Sequence, residues 1–125
     1  MITGVVNAHH EATIVLSVRD AGGQQSREIL AILDTGVSGS LTLPSSLIAA
    51  LALPFRTRGS ALLADGSQTY SDIHAASILW DGNPRNVLVE AAETEPLVGM
   101  GLLYGHEIRI QAIDGGRVTI EPLSG

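Results

Sequence analysis

The chain has 125 residues, enough for one compact domain and too few for two. Apolar residues make up 45% and charged residues 16%, which excludes a disordered tail. A net charge of −6, with seven Arg, no Lys and only four aromatics, argues against a nucleic-acid partner, and the lack of Cys excludes disulfides, thiolate chemistry and Cys-bound zinc.

No apolar run approaches membrane-spanning length, and Met1-Ile2-Thr3-Gly4 has neither the basic nor the apolar region of a signal peptide. The expectation is a cytoplasmic protein with no membrane contact. The opening residues read as strands over 2–7 and 12–19, with Val15 interrupting the alternation of Ile14, Leu16 and Val18. Asp20-Ala21-Gly22-Gly23 supplies a turn, and 27–33 returns as a strand. That strand runs into Leu33-Asp34-Thr35-Gly36, where an apolar run ends in an acid. A carboxylate at the end of a buried strand is costly unless it faces water or is held for chemistry. In isolation, Asp34, Thr35 and Gly36 also suit a simple turn.

Leu41-Thr42-Leu43 is a short strand. Pro44 is expected as the first residue of a helix through Ala52, with Leu47 and Leu51 on one face. Asp65-Gly66, between the β-prone arms 60–64 and 67–70, predicts a hairpin whose second arm continues to Leu79. Asp81-Gly82-Asn83-Pro84 reads as another turn, 86–91 as a strand, and the acidic run to Glu95 as a solvated loop. Leu97-Val98-Gly99-Met100-Gly101-Leu102-Leu103 suggests a buried strand turning into a short helix stopped by Gly105. Residues 107–113 alternate, and Asp114-Gly115-Gly116 folds them back onto 117–121. Tyr70 and Trp80 read as packing residues. His9 and His10 are adjacent, so on a strand they face opposite ways; with His74 and His106 they form no ligand spacing, and no metal site or cofactor is expected.

Three of these stretches, in order, resemble the retropepsin-like aspartic proteases, the single-domain relatives of retroviral proteases. They are Leu33-Asp34-Thr35-Gly36, the hairpin at Ala64-Asp65-Gly66-Ser67, and the apolar segment containing Leu97-Val98-Gly99. The resemblance spans 28–120 and treats 1–125 as one domain. It implies a mainly β, closed barrel-like acid protease fold with a flap hairpin, one or two short helices and a homodimeric assembly. Hydrolysis of this kind uses two carboxylates sharing a site. The chain has one Asp-Thr-Gly, and Asp65, Asp81 and Asp114 lack the following hydroxyl residue, so the second acid would come from a second copy.

The resemblance makes Asp34 the catalytic residue and Thr35 and Gly36 the support of its loop. It places Val37, Ser38, Leu63, Ala64, Asp65 and Gly66 against a peptide or protein substrate, and Leu33, Leu97, Val98 and Gly99 beneath the site. Val37 stands where the family generally has Ala or Ser, and Ser38 and Met100 replace residues of a viral dimer salt bridge. The reading is an aspartic endopeptidase acting on extended, apolar-flanked peptides. The alternative is a retropepsin-like domain with weak or no turnover that serves as a peptide-binding or dimerisation module.

Overall fold

In the computed structural model, which describes residues 1–20 and 22–124, most of the alternating stretches pair into one sheet. Ala21, in the first expected turn, lies outside the described residues; Asp20 closes that turn through Asp20 N–H to Gln25 O at 2.9 Å. The strands are β1 (Ile2–Val6), β2 (Ala12–Arg19), β3 (Ser26–Leu33), β4 (Leu41–Leu43), β5 (Phe55–Leu62), β6 (Gln68–Trp80), β7 (Asn83–Ala91), β8 (Leu97–Val98), β9 (His106–Ile110) and β10 (Arg117–Pro122). The helices are α1 (Ser45–Ala50) and α2 (Met100–Leu103). Among the described residues, no helix is long and apolar enough to cross a membrane.

The order β6–β7–β4–β8–β3–β2 closes on itself, because β2 also pairs with β6 through Ser17↔Leu79, Val18↔Ile78 and Arg19↔Ser77. Closure removes two sheet edges and encloses an aliphatic interior. Ile14, Leu16, Val18, Leu41, Leu43, Ile78, Val89 and Val98 are all buried there. With so few aromatics, burial of these branched side chains is the main driving force for closure. Two appendages leave the ring: β5 hangs from β6, and β1, β10 and β9 extend the sheet from β2.

The irregularity at Val15 has a simple cause. Its side chain faces outward and sits opposite Leu30, and the two are 57% and 56% exposed. An apolar cross-strand pair replaces the polar residue that strict alternation demands.

The hairpin turn after β6 is tighter than expected. It is Asp81-Gly82 alone, both at positive φ (54° and 80°), and Asn83 already pairs with Trp80. This is the backbone a two-residue type I′ turn requires. The first arm of the other long hairpin starts earlier than expected, since β5 begins at Phe55 rather than near Ser60. Conversely, β9 stops at Ile110, short of the expected Ile113. There Gln111 N–H bonds Arg117 O, and Gly116 N–H bonds Ile113 O, curling 111–116 into a loop.

Pro44 is the residue before the first helical turn of α1, in extended conformation, not its first helical residue. The helix ends at Ala50, two residues short of Ala52. Ala52 N–H bonds Ala49 O and Leu53 N–H bonds Ile48 O, a C-terminal cap in which Ala52 takes φ 51°. The cap turns the chain so that both Leu51 and Leu53 are buried. Glycine usually occupies this left-handed position, because a Cβ there is strained. Ala52→Gly is therefore expected to raise stability by about 0.5–1 kcal/mol, read as a higher urea midpoint with unchanged slope.

Candidate active site

Asp34 follows the last residue of β3, and its position is set by the backbone. β8 lies between β3 and β4. It runs parallel to β3 through Ile32↔Leu97 and Leu33↔Val98, and antiparallel to β4 through Leu41↔Val98 and Thr42↔Leu97. Asp34 N–H donates to Val98 O at 2.9 Å, extending the β3–β8 ladder by one step. The chain then leaves the ladder, loops through 35–40, and rejoins as β4 on the other side of β8.

The loop is fastened to the segment after β8. Gly99 N–H donates to Ser40 O at 3.0 Å, Met100 N–H to Val37 O at 2.7 Å and Gly101 N–H to Gly39 O at 3.0 Å. Within the loop, Gly36 N–H donates to Asp34 Oδ1 at 2.9 Å and Val37 N–H to Asp34 O at 3.2 Å. This local turn orients the carboxylate. Thr35, Gly36, Ser38 and Gly39 are exposed, and Asp34 is half-buried. Such a carboxylate can bind water or exchange a proton with it.

Gly99 explains how the two layers come so close. A Cβ built on it would collide with Gly39 O and lie 2.8 Å from Val37 Cγ1; one built on Gly101 would lie 2.8 Å from Ser40 Oγ. One methyl of Val37 thus points onto Gly99 and packs within the loop. Leu33 and Leu97 are half-buried beside this junction, and Val98 is fully buried.

Leu63, Ala64, Asp65 and Gly66 form the tip of the β5–β6 hairpin, all exposed. Gly66, at φ 87°, donates its N–H to Leu63 O at 3.0 Å. Asp65 Oδ1 accepts from Ser67 Oγ–H at 2.6 Å and from Ser67 N–H at 2.9 Å, and these bonds hold its carboxyl below the ordinary aspartate range. Asp65 is thus the turn's own hydrogen-bond acceptor. Tyr70 is on the hairpin's exposed part, with the Arg58 guanidinium 5.4 Å above its ring, and is not a packing residue as expected; Trp80 is buried.

A cleft of about 510 Å³ opens beside Thr35, lined mainly by Val6, Leu33, Leu103, Ile108, Ile110 and Ile113. Ile110 and Ile113 are 46% and 68% exposed. The sequence reading missed this surface, because alternation assigns a residue to a face without saying whether that face is covered.

The overall fold is similar to solved structures. A crystal structure of a retropepsin-like aspartic protease from Rickettsia conorii superposes with a TM-score of 0.61 at 19% identity, over 98% of this chain and 91% of that one. The chain has the retropepsin-like fold. A second structure with this fold, EIAV protease complexed with the inhibitor HBY-793, gives a TM-score of 0.55 at 19% identity over 78% of this chain and 88% of its own. No family model and no curated protein matches the sequence.

Within this retropepsin-like fold the acid loop tolerates little added volume below and more above. Gly99→Ala is expected to cost about 1–3 kcal/mol through overpacking. Gly39→Ala, where a Cβ meets nothing within 4 Å, is expected to stay within about 0.5 kcal/mol of the parent. Parallel urea unfolding of the two variants checks the difference.

Proposed function

We propose that this chain is an aspartic endopeptidase that works as a homodimer, each copy contributing one Asp34. The observation that supports this reading best is the placement of Asp34 at the end of β3, in a loop whose backbone is bonded on both sides of β8. The two structural neighbours, both aspartic proteases with this fold, support it further.

Two carboxylates brought face to face cannot both ionise readily, so they share a proton and titrate as a pair. The ionised member takes a proton from a water molecule as that water attacks the scissile carbonyl. The protonated member polarises the carbonyl oxygen, and a proton then passes to the leaving amine. Gly36, lacking a side chain, lets substrate backbone approach the loop. Thr35 links the two loops across the dimer axis. The tip at Leu63, Ala64, Asp65 and Gly66 closes over the substrate as a flap, and Ser38 borders the bound peptide. Val37 serves the loop's packing as well as its substrate side. The substrate is an extended peptide with apolar residues around the cut, docked as a β-strand whose alternate side chains enter pockets.

The second copy docks over the cleft beside Thr35 and along the open edge of β9. That surface adjoins the acid loop, and its exposed Ile110 and Ile113 gain burial there.

The deciding experiment is cleavage of a mixed peptide library by the parent chain, Asp34→Asn and Ile113→Asp, with sedimentation to read assembly. Asp34→Asn is expected to lose about 10²- to 10⁴-fold or more in rate while remaining a folded dimer. Ile113→Asp is expected to become a folded monomer without activity. Equal cleavage by parent and Asp34→Asn refutes the mechanism. A well-folded parent dimer that cleaves nothing favours the binding or dimerisation module instead.

A further inference from the structure

The imidazole of His106 is used on both sides. Trp80 Nε1–H donates to His106 Nε2 at 3.1 Å, and His106 Nδ1 lies 3.1 Å from Tyr104 O. An indole N–H can only donate, so Nε2 must accept. The ring is then neutral, with its proton on Nδ1 and donated to Tyr104 O. The two rings meet edge to face, with centroids 5.6 Å apart at 89°.

The same indole carries a cation. The Arg85 guanidinium carbon lies 5.8 Å from the Trp80 ring centroid, and its nitrogens reach Gly101 O at 3.4 Å and Leu102 O at 3.5 Å. Trp80 thus joins β6, where it resides, to β7 through Arg85 and to β9 through His106. Arg85 in turn holds α2, the helix whose Met100 and Gly101 N–H groups fasten the acid loop.

We propose that the His106–Trp80 contact is an acid-sensitive latch that fastens β9 and the end of α2 to the ring. Uptake of one proton at His106 Nε2 sets one N–H against another and abolishes the bond. It also places a second cation beside an indole already covered by Arg85.

The surrounding charges do not offset this. β7 carries two charged residues, Arg85 against the indole and Glu90, which accepts from Ser71 Oγ–H at 3.0 Å. Asp81, next to Trp80, is held by the Met1 amine at 2.8 Å. Glu107 follows His106 in β9, so it and its register partner Glu121 face the opposite side of the sheet, where Glu107 binds Arg109 at 2.9 Å. α2 has no charged residue. Gly105, at φ 84°, directly precedes His106, and its carbonyl accepts from Leu123 N–H at 2.9 Å. The latch is independent of the proposed proteolysis.

Trp80 is the only tryptophan, so its emission reads the latch directly. Acidifying the full chain is expected to change that emission as His106 Nε2 takes up a proton and the indole bond is lost. His106→Gln, which keeps an acceptor but cannot titrate, is expected to lose that change. Nitrogen NMR of the parent at pH 8, which needs no variant, is expected to show His106 with its proton on Nδ1. A proton on Nε2, or an emission titration unchanged in His106→Gln, overturns the latch.

Discussion

Everything near Asp34 depends on the insertion of β8 between β3 and β4. A two-residue strand contributes little by itself, yet it bonds on both sides, parallel to β3 and antiparallel to β4. The acid loop has to pass around it. Backbone groups thereby set the position of Asp34, with Asp34 N–H on Val98 O and the loop carbonyls of Val37, Gly39 and Ser40 satisfied by 99–101. Buried or constrained backbone groups need such partners. Supplying them from one contiguous segment makes the loop and that segment a single unit. Gly99 and Gly101 matter because the two backbones approach within a distance that side chains forbid.

Local features were legible in the sequence and long-range ones were less so. Asp65-Gly66 and Asp81-Gly82 marked their hairpins, because positive φ is a local demand that few residues meet. The alternation of Ile14, Leu16 and Val18 identified a core face for the same local reason. The pairing of Leu97 and Val98 with both β3 and β4 cannot be read from periodicity, since it joins segments far apart in the chain. The resemblance placed Leu97 and Val98 beneath the site, and the structure supplies their pairing. The end of α1 was misplaced because an alanine occupies a position glycine usually takes. β5 began earlier than expected because Arg56, Thr57 and Arg58 lie in an exposed strand whose partners, not its composition, make it a strand.

The candidate site was legible to a different degree. Asp34-Thr35-Gly36 alone reads as an ordinary turn, and its reading as a catalytic loop rests on its combination with the segments at 63–67 and 97–103. The inward methyl of Val37 could not be foreseen, because a residue beside glycine in a loop has no face until the layer beneath is known. The same is true of Ile110 and Ile113. Their periodicity predicts a strand, and the loop at 111–116 places both around an open cleft.

The β8 insertion also has a consequence in time. Strand partners for Leu33 and Leu41 come from Leu97 and Val98, so the acid loop is closed by contacts of long sequence separation, which form late because loop closure must come first. During synthesis the chain up to α1 contains Asp34-Thr35-Gly36 and its local turn but none of the 98–101 groups that fasten the loop. A nascent or truncated chain ending before Gly101 therefore lacks the contacts that fasten the loop, and these form only after the segment through Gly101 has emerged.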